Sequence, residues 1–210
     1  MPCCAHNHGA DPQPPGSRYQ YVLWVALVIN GTMFLIEILA GLMAGSASLQ
    51  ADALDFMGDV ANYGISLFVI GMALRYRSTA ALIKGATMGL FGLWVSAATI
   101  WHAYHGTLPH AVTMGEVGFA ALVANGAVFG LLWAYRAGDS NMRSAWLCSR
   151  NDVVGNLAVL FAALGVFGTG TGWPDVIVAG VMAALGLQGA ARVIRHALEE
   201  LRPTPVPKMV

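Results

Sequence analysis

The sequence predicts an all-α integral membrane protein of six transmembrane helices, with both termini on the cytoplasmic side. Composition gives the first reason: 57% of the 210 residues are hydrophobic and only 10% charged, against roughly 25% charged in an ordinary soluble domain. The second is length, because a helix needs roughly 20 apolar residues to cross a hydrocarbon layer about 30 Å thick, and stretches of that kind lie at about 20–44, 49–74, 79–103, 112–135, 144–168 and 174–197. The third is the placement of the eleven Lys and Arg residues, all of which fall on one side of a six-span arrangement. Cytoplasmic loops retain basic residues in excess, so that side is assigned to the cytoplasm.

Residues 1–18 form a polar, proline-containing tail with no apolar core ahead of a cleavage site, so the tail is expected to stay attached and helix 1 to act as the targeting signal. Arg18 then precedes helix 1, Arg75, Arg77 and Lys84 bracket the second loop, and Arg136, Arg143 and Arg150 bracket the fourth. Arg192, Arg195, Arg202 and Lys208 close the chain. Loops are short and marked by Gly45-Ser46, Leu108-Pro109 and Gly138-Asp139-Ser140. The membrane domain is assigned to 19–199. Residues 200–210 are a short cytoplasmic tail, broken by Pro203, Pro205 and Pro207, with no metal-binding domain after it. Localisation to the cell membrane follows, the inner membrane if the source is bacterial. The chain carries no net formal charge and shows no basic surface outside the membrane, which gives no support to nucleic-acid binding.

Helix 1 carries Asn30 and Glu37, seven apart and so on one face. Glu37 reads as a proton acceptor lining a pathway or as a polar contact to a neighbouring helix. Helix 2 contains ADALDFMGD, in which Asp52, Asp55 and Asp59 lie within about 60° of one another around the helix. Each charge at the centre of a membrane helix costs about 2.5–3.5 kcal/mol on insertion scales, so three on a lipid-facing stripe are not sustainable. Asp55 and Asp59 therefore read as functional, whereas Asp52 reads equally as a helix cap. Helix 5 repeats the theme with Cys148, Asp152 and Asn156 at every fourth position. Because helices 2 and 5 run in opposite directions, Asp59 and Asp152 can meet near the midplane.

Carboxylates that converge without basic partners must share protons or hold a cation. Arg150 lies about 200° around helix 5 from Asp152, which leaves a cation as the counter-charge. Oxygen donors beside the Cys148 thiol suit a borderline-soft divalent ion such as zinc, whereas calcium or magnesium would want more oxygens and no sulfur. Cys148 also reads as a small buried core residue. Cys3, Cys4, His6 and His8 in the tail are further potential soft ligands for metal delivery. His102, His105 and His110 surround the third loop, where interfacial histidines are usually surface residues.

These stretches resemble the cation diffusion facilitator family. The segment from Asn30 to Asp59, with Glu37, Gly41, the Ser46-Ala47-Ser48-Leu49 turn and ADALDFMGD, is similar to the family's helix 1 and 2 signature, and Asp152 to Val159 to its helix 5 signature. Trp173-Pro174-Asp175 resembles the start of helix 6. The resemblance implies a transport site at Asp55, Asp59, Cys148 and Asp152, with Asp52, Asn156 and Glu37 as accessory candidates. It implies exchange of a cytoplasmic divalent metal for protons, no resident cofactor, no enzymatic activity, and a homodimer resting on membrane helices. Cys148 departs from the usual His or Asp. Zinc is the favoured cargo, with cadmium, cobalt, iron(II), manganese and nickel open. The competing readings are an intramembrane aspartyl protease, whose two aspartates share one proton, and a metal channel or sensor without proton coupling.

Overall fold

A computed structural model describes residues 17–68, 73–136 and 140–201. Six α-helices make up nearly all of it: α1 (Ser17–Ala44), α2 (Ala47–Phe68), α3 (Leu74–His105), α4 (Ala111–Leu132), α5 (Ser140–Thr169) and α6 (Trp173–Leu201). A single 3₁₀ turn, Trp133–Tyr135, extends α4. The helices outrun the apolar stretches at several ends, beginning at 74 rather than 79 for α3 and ending at 201 rather than 197 for α6. Hydropathy marks only the part of a helix that is apolar, and these ends are polar. They are also tied together, Ser78 on α3 donating a hydrogen bond to Glu200 on α6.

Five helices are long and apolar enough to cross a membrane on their own. The exception is α2, which carries the three aspartates. It packs against α1, α3, α5 and α6, and every residue from Ala47 to Leu54 is buried. A helix surrounded by other helices can bear polar groups that a lipid-facing one cannot. The outer helices turn large apolar side chains outward, among them Leu39, Met43, Phe161 and Phe167, a surface suited to lipid rather than water.

The remaining helix pairings are α3 with α6, α4 with α5, α1 with α4, and α5 with α6. Glycine permits the closest approaches of α6: a Cβ at Gly186 would lie 2.6 Å from the Leu54 side chain of α2, and one at Gly85 would lie 2.8 Å from the Ile194 side chain. At the end opposite the basic residues, α1, α3 and α5 are each followed by a glycine at positive φ, namely Gly45, Gly106 and Gly170, the left-handed position that commonly ends a helix.

Two apolar clusters hold the bundle at its two ends. One joins Leu49, Val95, Met114, Val159 and Val166; the other, at the basic end, joins Tyr19, Leu23, Tyr63, Val128 and Leu132. The acidic residues of α2 and α5 occupy the level between them.

Candidate metal-transport site

The site is set by how α2 begins. Asp175, in the first turn of α6 and 1% exposed, accepts hydrogen bonds from the Ser46 hydroxyl (2.7 Å), the Ala47 amide (2.8 Å) and the Ser48 amide (3.0 Å). The Ser46 hydroxyl in turn accepts from the Leu49 amide at 3.2 Å. These groups satisfy backbone donors that a helix start leaves without partners. With that role filled, Asp52 is not the cap of α2.

Asp52 instead belongs to a buried chain of polar groups across four helices. Asn156 of α5 donates to Asp52 Oδ2 at 2.6 Å, and Asn125 of α4 donates to Asn156 Oδ1 at 2.9 Å. Glu37 of α1 lies beside Asp52 and is fully buried, with no donor reaching either carboxylate oxygen. Two carboxyl groups in contact attract only when a proton or a cation lies between them. Asn30, by contrast, donates to Ala26 O of its own helix at 2.8 Å.

A turn further along α2, a cavity of about 610 Å³ is lined by Asp55, Asp59, Asn62, Cys148, Arg150 and Asp152, among others. Asp55, Asp59, Cys148 and Asp152, the quartet expected from the sequence, thus share one space walled by α2, α5 and α6, with Met88 of α3. Asp59 is 4% exposed, accepts a hydrogen bond from the Tyr63 hydroxyl at 2.9 Å, and lines the cavity with Asp152. Gly155 of α5 faces the aspartates of α2, a Cβ there lying 3.8 Å, ordinary contact distance, from both Asp52 Oδ1 and Asp55 Oδ2. Among the described residues, no three His, Cys, Asp or Glu side chains converge closely enough to hold a metal ion in this arrangement. The quartet is a set of donors around a shared cavity, not a closed coordination shell.

Arg150, expected to point away from Asp152, lines this cavity and also lies over the Trp146 ring at 5.7 Å. Cys3, Cys4, His6 and His8 lie outside the described residues. His102, His105 and His110 do not form a cluster: His110 caps α4 through Thr113, and His105 stacks on Trp101 with ring centres 3.8 Å apart.

Asp175, Asn125, Tyr63, Asn62 and Lys84 were not singled out from the sequence as site residues. Asn62 carried a signal, because it follows Asp55 by seven and Asp59 by three and so shares their face of α2. Lys84, counted among the interfacial anchors, is buried and donates a hydrogen bond to Asn62 Oδ1.

Comparison with known proteins agrees with this architecture. The family model described as the cation efflux transmembrane domain matches residues 23–202. The chain is 27% identical over 210 residues to a zinc transporter ZitB of Pectobacterium atrosepticum, covering 94% of this chain and 64% of that protein. A cadmium, cobalt and zinc/H(+)-K(+) antiporter of Bacillus subtilis is 24% identical over 212 residues, covering 93% of this chain and 66% of that protein. The metal cation efflux system protein CzcD of Cupriavidus metallidurans is 26% identical over 189 residues, covering 83% and 57%. The chain therefore spans about two thirds or less of the length of these relatives. The matched domain covers the helix 2 and helix 5 motifs and their shared cavity, and the chain belongs to the cation diffusion facilitator family through its cation efflux transmembrane domain.

Proposed function

We propose that this protein exports a divalent transition-metal ion from the cytoplasm in exchange for protons. The observation that carries the reading is the lining of one cavity by three carboxylates and a thiol, Asp55, Asp59, Asp152 and Cys148, on two helices. Relatives named as zinc transporters and as a cadmium, cobalt and zinc antiporter support the choice of cargo. Zinc is the first candidate, and the thiol extends the range to other thiophilic ions such as cadmium.

The six helices span the membrane with the basic end in the cytoplasm, the orientation that the Lys and Arg placement supports. Arg150, which belongs to that end, lines the cavity, which supports access to the cavity from the cytoplasm. Asp55, Asp59, Cys148 and Asp152 draw in around the ion, with Asp52, Asn156 and Glu37 as a second layer that orients the donors. Metal binding requires deprotonated ligands, so proton and metal compete for the same oxygens and a proton gradient resets the site. Two copies act as a homodimer through their membrane helices.

The test is metal-dependent proton flux in sealed proteoliposomes across zinc, cadmium, cobalt, iron(II), manganese and nickel. The native protein should move protons with one or a few of these ions, and Asp59→Ala and Asp152→Ala should both abolish the flux. Binding without flux, lost in the same variants, replaces the antiporter with a channel or sensor. Absence of binding by the native protein removes the metal assignment altogether.

A further inference from the structure

Lys84 is the one basic side chain buried among the described residues, at 7% exposure. It stands ten residues into α3 and five past the start of that helix's apolar stretch, roughly 7.5 Å along the axis, yet it is buried against neighbouring helices instead of reaching out to an interface. Its stem lies along an apolar groove of about 390 Å³ lined by Met57, Ala61, Ile65, Ile83 and Met88. The ammonium donates a hydrogen bond to Asn62 Oδ1 of α2.

Asn62 is a wall residue of the cavity that also holds Asp55, Asp59 and Asp152. Met88, one turn beyond Lys84, lines both the apolar groove and that cavity. The charge of Lys84 is thus separated from the acidic cavity by a single layer of side chains, and it acts electrostatically on Asp59. Arg150, the other basic residue at this cavity, is exposed and so screened by its surroundings. A buried cation is screened far less.

We propose that Lys84, positioned by Asn62, is a built-in counter-charge to the acidic cavity that weakens cargo binding and so favours release of the metal ion. Without it, carboxylates gathered in a low-dielectric interior would bind a divalent ion too tightly to let it go. With it, part of their negative charge is already compensated when the ion leaves, and the arriving ion meets a repulsion. This inference rests on the metal-transport reading and adds a specificity-determining residue to it, one on α3 rather than on the helices that supply the donors.

The experiment measures zinc affinity of the full-length protein in detergent at fixed pH, by calorimetry, for the native chain, Asp59→Ala, Lys84→Met and Lys84→Arg. Lys84→Met keeps the length of the stem and removes the charge, and zinc should bind severalfold tighter, because the repulsion between a unit positive charge and a divalent ion is gone. Lys84→Arg keeps the charge and should reverse most of that gain. A damaged fold weakens binding, so tightening is a readout that a merely structural role does not produce. Lys84→Met binding zinc no more tightly than the native chain overturns the proposal, as does equal tightening in Lys84→Arg. Should Lys84→Met fail to elute as a folded species, Lys84→Gln, which retains a donor for Asn62, puts the same question with the same expected tightening. Native protein that binds no zinc, or Asp59→Ala that binds it undiminished, removes the transport reading itself; loss of the Lys84 effect alone leaves that reading standing.

Discussion

Replacing Asp175 with alanine removes three hydrogen bonds from the start of α2 at once, those from the Ser46 hydroxyl and the Ala47 and Ser48 amides. The site is 1% exposed, so water does not readily replace the lost acceptor. Loss of one helix cap typically costs about 1 kcal/mol and up to about 2, while hydrogen bonds to a charged group contribute about 1.5–3 kcal/mol each. Three such bonds do not add, and polar contacts between membrane helices average only about 0.6 kcal/mol, because the unfolded chain in the bilayer finds other partners. Weighing these, Asp175→Ala should destabilise the fold by about 2–4 kcal/mol. At roughly 2–4 °C per kcal/mol for a domain of this size, that corresponds to a fall in Tm of about 5–15 °C. Asp175→Asn, which retains one acceptor oxygen, and Ser46→Ala, which removes one donor to the carboxylate and the acceptor of the Leu49 amide, should each lose less than Asp175→Ala. Thermal unfolding in detergent, followed by tryptophan fluorescence and by the folded fraction on size exclusion, compares the three. An Asp175→Ala protein melting within about 2 °C of the native one would refute the reasoning, since the three bonds would then be worth no more than an ordinary surface change of about 0.5 kcal/mol.

Two further substitutions test the site and the packing around it. Cys148→Ser should leave zinc transport in place while lowering the preference for cadmium over zinc by on the order of tenfold, the lower end of what losing an interaction at a metal site costs. Competition between the two ions for binding in detergent checks this, and an unchanged ratio would make Cys148 a core residue and not a ligand. Gly172→Ala would set a Cβ 2.1 Å from the Thr107 carbonyl oxygen, a clash of backbone with side chain that only movement of the loop can relieve. Folded yield should collapse there, whereas Gly126→Ala, with nothing within 4 Å of its Cβ in this chain, should fold like the native protein. A large loss at Gly126 would point to a contact with a second copy of the chain.

Much of the architecture was legible because lipid imposes simple rules. Apolar runs mark all six helices in the sequence, but among the described residues only five are long and apolar enough to cross a membrane alone; α2, whose run is 49–74, is not, and the aspartates that lower its hydropathy are also the reason to place it inside. The 3.6-residue period put Asp55 and Asp59 on one face and Cys148 and Asp152 on another, and those four do line one cavity. The period also grouped Asp52 with Asp55, but it could not decide whether Asp52 was a cap or part of a site. That answer needed Asp175, 123 positions away along the chain.

Lys84 marks the same boundary more sharply. In the sequence it is one of eleven basic residues, and the rule that expects such residues at the cytoplasmic interface would put it there with the rest. The bundle buries it because α3 packs against α2 at that level and Asn62 supplies an acceptor there. Sequence by itself determined the solvent, the helices and the faces bearing carboxylates, since each of these follows from the polarity of neighbours along one chain and the geometry of one helix. Which helices surround α2, what caps it, and which buried charges face each other were decided only by tertiary packing, because those partners come from segments that periodicity along a single helix cannot relate.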